Sequence, residues 1–348
     1  MAAALAATAE LLRQLRERQN RPQRVYRDRS NPFEELSEKQ FRTRYRMYKH
    51  TAIELIDMMA PDLQRDTERG HALPPYLQVL TALRYYATGS FQSVVGDLYG
   101  IDQGTVSRVV CDVSPLIARR RGQFIQFISD QQDLQQRQLD FFNYCNFPGV
   151  LGAIDCTHVP IQSPGGPNAL YFMNRKRRYS INTQIVCDME GRILNIVARW
   201  PGSAHDSRIF NESSLKAELE RGQIEGHLLG DSGYPCLRYL MTPLLAPANA
   251  ADERYNKAQI RGRNVIERLN GMLKRRFPCL NHMRIKLDTV FAVIIACATL
   301  FNFLLVRRDP AIPTKLPEQI PGNVRPLRNL RQTGNLKRQQ LIREHFGN

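Results

Sequence analysis

The sequence predicts an α/β domain built on a mixed sheet, with an all-α region in front of it. Two observations carry this. From Val150 onward, short β-prone apolar runs alternate with turn residues, first as a three-strand antiparallel meander and then as parallel strands reached through helices. Before Val150 the apolar residues recur at three- and four-residue steps, the period of helices. A third observation concerns chemistry. The run LGAIDCTHVPI, residues 151–161, carries one carboxylate, Asp155, in its middle, and a buried carboxylate must be paired or hold a cation.

The 348 residues are 43% hydrophobic, enough for one large core or two smaller ones and too apolar for a disordered chain. Lys and Arg number 49 against 33 Asp and Glu, giving +16 and a pI near 9.8. That excess points to a polyanionic partner, nucleic acid first and an acidic membrane surface second. Seven scattered cysteines form no CxxC pair, which fits free thiols in a reducing compartment rather than a disulfide framework or zinc ribbon. The first nineteen residues lack the layout of a signal peptide, because their apolar part precedes the charges. Residues 289–306 are long and uncharged enough to consider as a membrane span. They include Thr299 and Asn302 and barely reach the length, so they read as a buried helix and the protein as having no membrane partner.

In chain order, residues 1–30 form a basic arm studded with Arg13, Arg16, Arg18, Arg21, Arg24, Arg27 and Arg29. It lies along phosphates or is a solvated tail. Residues 31–147 form the helical region. One helix covers 36–63 and ends at Pro61; a second covers 75–88 and breaks at Gly89-Ser90. Residues 91–118 have the layout of a helix-turn-helix. A short helix over 91–99 is followed by a turn at Gly100, with Ile101 plugging the angle. A second helix, capped by Asp102 or Gln103, turns Val106, Val109 and Val110 inward. Its outward residues Gln103, Thr105, Ser107 and Arg108 suit base edges or phosphates in a major groove, although a packed helical hairpin has the same layout.

Residues 148–308 form the α/β domain. Strands cover 150–161, 179–188 and 192–200, and the loop after the first ends in Arg175, Lys176, Arg177 and Arg178. An amphipathic helix from 204 to 220 opens with His205 and Asp206. A fourth strand, 226–229, delivers Asp231. After Pro-rich loops and a basic segment, a helix over 264–277 carries Glu267. Its packed stripe is Val265, Ile266, Leu269, Met272 and Leu273, while Arg263, Glu267, Asn270 and Lys274 share another face. Residues 309–348 read as a basic flexible tail.

Acids on strand one, after strand four and on a late helix are the ribonuclease H-like arrangement. Strands one and four lie side by side in such a sheet, so Asp155 and Asp231 reach one point. Converging carboxylates repel one another unless Mg²⁺ or Mn²⁺ neutralises them. Two such ions about 4 Å apart activate a water or a 3′-hydroxyl and stabilise the leaving oxygen of a phosphodiester. Taken singly, Asp155 also reads as a buried salt bridge, Asp231 as a turn residue and Glu267 as a surface charge. His158 and His205 lie near the acids or pack in the core. The clusters Arg175–Arg178, Arg261 with Arg263, and Lys274, Arg275 and Arg276 would frame the acids with a phosphate track.

The segments FQSVVGDLYGIDQGTVSR, VLGAIDCTHVPI, WPGSAHDSRIF, LLGDSGYPC and YNKAQIRGRNVIERLNGMLKRRFPCL resemble the PIF/Harbinger transposase family, over residues 41–302. The resemblance implies an Asp-Asp-Glu nuclease or transposase in which Asp155, Asp231 and Glu267 form the triad and Asp206 is a further metal ligand. The residues themselves leave Asp206 equally a helix cap. It also implies a divalent cation, Mg²⁺ or Mn²⁺, DNA as partner and a Myb-like protein that assists DNA binding and nuclear import; a homo-oligomer on DNA is a separate expectation. The expected location is the nucleus, with the cytoplasm second. The chain departs from the family pattern at Gln259, where members often carry His, and at Phe301, where they often read LHN. The leading expectation is a metal-dependent endonuclease that cuts transposon-like DNA ends and transfers strands. A domesticated DNA-binding or chromatin protein that keeps the fold without catalysis is the alternative. An RNA-cleaving ribonuclease H would have no use for the helix-turn-helix.

Overall fold

In the computed structural model the protein is described at Glu10, Arg13 and residues 31–64, 72–127, 130–222, 224–309 and 332–347. Residues 1–31 are a unit apart from the rest. There Arg13 pairs with Glu10 at 3.2 Å, and the other arginines of the predicted arm lie outside the described residues.

Helices α1 (Pro32–Glu35), α2 (Glu38–Tyr45), α3 (Lys49–Leu63) and α4 (Pro75–Thr88) open the larger unit. The single helix expected over 36–63 is split. Ser37 and Gln40 form a capping box that starts α2, and Arg46 in left-handed backbone ends it. Pro61 lies inside α3 instead of ending it, because only its last turn follows. Two further helices, α5 (Gln92–Asp97) and α6 (Gln103–Arg119), are joined by a turn through Gly100, and the Asp102 side chain caps α6. Gly96 is required at this corner, since a Cβ there would stand 2.3 Å from the Ile101 carbonyl oxygen. Helices α7 (Arg121–Phe124) and α8 (Gln131–Cys145) lead into the sheet.

The sheet has the order β3-β2-β1-β4-β5, with β1 Val150–Pro160, β2 Ser180–Cys187, β3 Ile193–Pro201, β4 His227–Leu229 and β5 Leu240–Met241. The first three strands form the antiparallel meander, and β4 joins β1 in parallel, so the mixed sheet expected from the sequence is present. The two-residue β5, parallel to β4, was not expected. The arrangement is compatible with a ribonuclease H-like fold. Side chains alternate across the sheet. Ala153, Ile181 and Ile185 join the core shared with the helical region, while Ile154, Val186 and Leu228 join a second core on the opposite face.

The amphipathic run after β3 is two helices, α9 (Asp206–Asn211) and α10 (Ser214–Glu220), because the Ser213 side chain caps a new start. The late helix is far longer than expected. The basic segment before residue 264 is part of α11 (Ala250–Arg276), which starts at the N-cap Asn249. Helix α12 (Leu287–Val306) is long and apolar enough to cross a membrane, yet 72% of its most apolar stretch is buried inside the protein. Its Asn302 amide accepts from the Ile193 N–H and donates to the carbonyls of Ile193 and Phe124, fastening α12 to β3. Phe301 is buried beside it. The expectation of a flexible tail does not hold for residues 332–345. They form α13 (Gln332–His345), after which Phe346 packs against Phe147 and Tyr255 and its carbonyl accepts from Arg254. That anchor is a tertiary contact, invisible in the local charge pattern.

Candidate active site

Three of the four predicted acids come near enough to feel one another's charge: Asp155 on β1, Asp231 just after β4 and Asp206 at the start of α9. Asp155 is half-buried near the middle of β1, where the exposed turn of burial begins after Ile154. Burial first, and then the nearby charge of Asp231, push its carboxyl up to about 7; the Arg263 guanidinium works in the opposite direction. Asp231 follows β4 at the residue after Gly230, and burial raises it too, with Asp206 adding to the effect. The Gly233 N–H donates to Asp231 Oδ1 at 2.9 Å.

Asp206 opens α9, but it does not cap it. His205 occupies the N-cap position, and Asp206 Oδ1 accepts a hydrogen bond of 3.0 Å from the Asn182 amide of β2. Asn182 also donates to the Ala204 carbonyl, which fixes the entry to α9. The helix-cap reading of Asp206 therefore gives way to a side chain turned toward the other aspartates. Gly233 marks the gap between two of them: a Cβ there would lie 3.0 Å from Asp231 Oδ1 and 3.6 Å from Asp206 Oδ2.

Glu267 is not gathered with the three aspartates. Its carboxylate is half exposed and bonded at 2.8 Å to Arg263, one turn back on α11. Arg263, expected to contact DNA, is paired with Glu267, and its charge lowers both Asp155 and Asp231. Helix α11 is pressed close here. A Cβ on Gly262 would stand 2.5 Å from Leu229 of β4, and the Gln259 amide donates to the Gly230 carbonyl at 2.7 Å. Gln259, one of the two departures from the resembled pattern, thus holds the backbone immediately before Asp231.

Among the described residues no three His, Cys, Asp or Glu side chains converge tightly enough to form a ready metal site. The donor set still suits a hard divalent cation, since all the candidate ligands are carboxylates. The fit rests on two observations: the glycine-kept gap between Asp206 and Asp231, and two carboxylates raised first by burial and then by a neighbouring aspartate's charge, which a cation would relieve.

Of the other predicted residues, Arg175, Lys176, Arg177 and Arg178 are exposed, and the Asn174 side chain holds their turn by accepting from the Lys176 and Arg178 N–H groups. The charge of Arg175 reaches both Asp231 and His158, so this loop borders the acids. Lys274 is bonded to strand β1. Its ammonium donates to Thr157 Oγ1 at 2.7 Å and the His158 carbonyl at 2.8 Å, and burial lowers it to about 8. Arg275 is half-buried, and Arg276 is buried in an ion pair with Asp309. Thr105 and Arg108 form a local chain with the capping Asp102: Arg108 donates to Thr105, and Thr105 donates to Asp102. Gln103 is exposed and Ser107 half-buried. His158 is half-buried and bonded to Ser180, while His205 is exposed, which excludes its packed-core reading. Asn182 and Gly233 were missed. The signal for Asn182 was the polar run Asn182-Thr183-Gln184 inside an otherwise apolar strand.

Residues 154–302 match the model of a DDE superfamily endonuclease. More particularly, the chain is 35% identical over 303 residues to the Rattus norvegicus protein named "Putative nuclease HARBI1", covering 84% of this chain and 86% of that one. It is 37% identical to the Homo sapiens protein of the same name over 72% of this chain and 73% of that one. It is also 25% identical to the Arabidopsis thaliana "Protein ALP1-like", over 74% and 67% of the two. No solved structure matches. The chain belongs to the Harbinger transposase-derived nuclease family.

Proposed function

We propose that the protein is a divalent-metal-dependent DNA endonuclease, hydrolysing phosphodiester bonds at transposon-like ends and joining the freed 3′-hydroxyl to target DNA. The observation that carries this reading is the nearness of Asp155, Asp206 and Asp231, distant in sequence, whose charges act on one another, with Gly233 keeping the gap between Asp206 and Asp231 open. Magnesium or manganese would be held by these three carboxylates, with Glu267 joining from α11 once it parts from Arg263. When bound, such an ion supplies Lewis-acid activation of a nucleophilic oxygen and stabilises the leaving one. Arg175 and the exposed Lys176, Arg177 and Arg178 would hold the phosphates flanking the cut, which sets the strand against the acids. Asn182 orients Asp206, and Gln259 fixes the backbone that presents Asp231.

The same reading gives α5 and α6 the role of a helix-turn-helix, with Gln103, Thr105, Ser107 and Arg108 toward DNA. It places the protein in the nucleus, with the cytoplasm second, assisted by a Myb-like DNA-binding protein and acting as a homo-oligomer on DNA. The reading of a chromatin protein that keeps the fold without catalysis is not favoured, because the aspartates are retained and gathered. Incubation of labelled duplex DNA with Mg²⁺ or Mn²⁺ tests the proposal. Wild type is expected to cleave, and Asp155→Asn and Asp231→Asn to lose at least about a hundredfold in rate. Cleavage by Asp155→Asn at the wild-type rate would overturn it.

A further inference from the structure

A cleft of about 510 Å³ lies between the α5–α6 corner and the end of β1, away from the aspartates. Gln92 and Gln103 stand on one wall; Gln162, Arg284 and Lys286 stand on the other. A smaller adjoining cavity shares three glutamines and Arg284 and adds Phe91. The size is that of a small-molecule site, far too narrow for a double helix.

The chemistry of the walls is specific. Phe91 is 61% exposed, an unusual position for a ring of that size, and the Arg284 guanidinium covers one side of it at 4.8 Å from the centroid. Arg284 is itself steadied by donating to the Gly89 carbonyl. The two walls are fixed relative to each other, because Gly89 packs so closely on Cys279 that a Cβ would lie 2.9 Å from its Cα. Among the described residues, none of the amides of Gln92, Gln103 and Gln162 is hydrogen-bonded to another side chain or backbone group. Each offers a donor and an acceptor in the plane that base edges use.

We propose that this cleft takes a nucleobase from an unpaired strand of the substrate DNA. The base stacks on the free side of Phe91, the glutamine amides meet its edge, and Arg284 and Lys286 hold the adjoining phosphates. Strand β1 links this cleft to the chemistry. From Asp155 to Gln162 the extended chain spans about 20 Å, so the held base lies several nucleotides from the bond to be cut. The location also changes what α6 would read: Gln103 and Ser107 face a wall of the nuclease domain, which suits a splayed strand better than a closed major groove.

This inference rests on DNA being the substrate. The test is fluorescence anisotropy of the full chain without metal, using a blunt duplex and the same duplex extended by a short single-stranded arm. Wild type is expected to bind the armed duplex more tightly. Phe91→Ala should weaken that binding by about tenfold while leaving the blunt duplex unchanged, and Phe91→Tyr should retain it. Phe91→Ala binding the armed duplex as tightly as wild type, an equal loss on both probes, or a wild type indifferent to the arm would overturn the cleft assignment and leave the DNA reading standing. A wild type that binds neither probe would remove both.

Discussion

Two basic stretches of nearly identical composition, Arg175–Arg178 and Lys274–Arg276, end in opposite surroundings. The first is a loop whose four side chains are all exposed beside the aspartates. The second is the last turn of α11, where each residue points about 100° from the one before it. A helix packed on two sides cannot give three consecutive cations to solvent. Lys274 is bonded to β1, and Arg276 forms a buried pair with Asp309 while also donating to the Arg46 carbonyl. Asp309 accepts from the Tyr48 N–H as well, so this one pair ties α11, the chain after α12 and the N-terminal helices together. Charge count alone predicts a phosphate track for both stretches; only the loop leaves all of its cations exposed.

The contrast can be broken by substitution. Asp309→Ala strands the buried Arg276 guanidinium and is expected to cost about 3–5 kcal/mol in urea unfolding. Arg177→Ala is expected to stay within about 0.5 kcal/mol of wild type and instead to lower the salt dependence of DNA binding by about one counterion. A stability loss shared by both variants, or confined to Arg177→Ala, would reverse the comparison.

The next effect in size concerns the aspartates. A carboxyl raised to about 7 in the folded state binds a proton there that it releases in the unfolded chain. Its contribution is therefore present below the ordinary carboxylate pKa and is lost as pH rises through 7. The stability difference between Asp155→Asn, which carries no charge to bury, and wild type should therefore grow from pH 5 to pH 8, the variant gaining about 1–3 kcal/mol at pH 8. Unfolding midpoints at the two pH values check this; equal midpoints for the variant and wild type at pH 8 would contradict it.

The legible parts of the site were those with a local contradiction in the sequence. Asp155 is one carboxylate in an apolar strand, and Asp231 is an acid that ends another such run. Asp206 came into the set through the family resemblance, since its position at a helix start reads equally as a cap. Glu267 was legible as an acid on the correct helix, but which of its rotamers is occupied depends on Arg263 one turn away, and periodicity does not decide that. Gly233 carries no signal because its role is to leave space. The fold was clear where periodicity was strong, as in the meander and in α4. It was obscure where tertiary contacts override composition: the basic first half of α11, the two-residue β5, and α13 held by Phe346.

Asp155, Asp206 and Asp231 are proposed to hold one cation, with Gly233 keeping the gap between the last two open. Calorimetric titration of Mn²⁺ into the metal-free protein at pH 8 measures it directly. Saturable binding by wild type that is weakened at least about tenfold in Asp231→Asn is the predicted result. Binding of equal strength in the two proteins, or none in wild type, would contradict it.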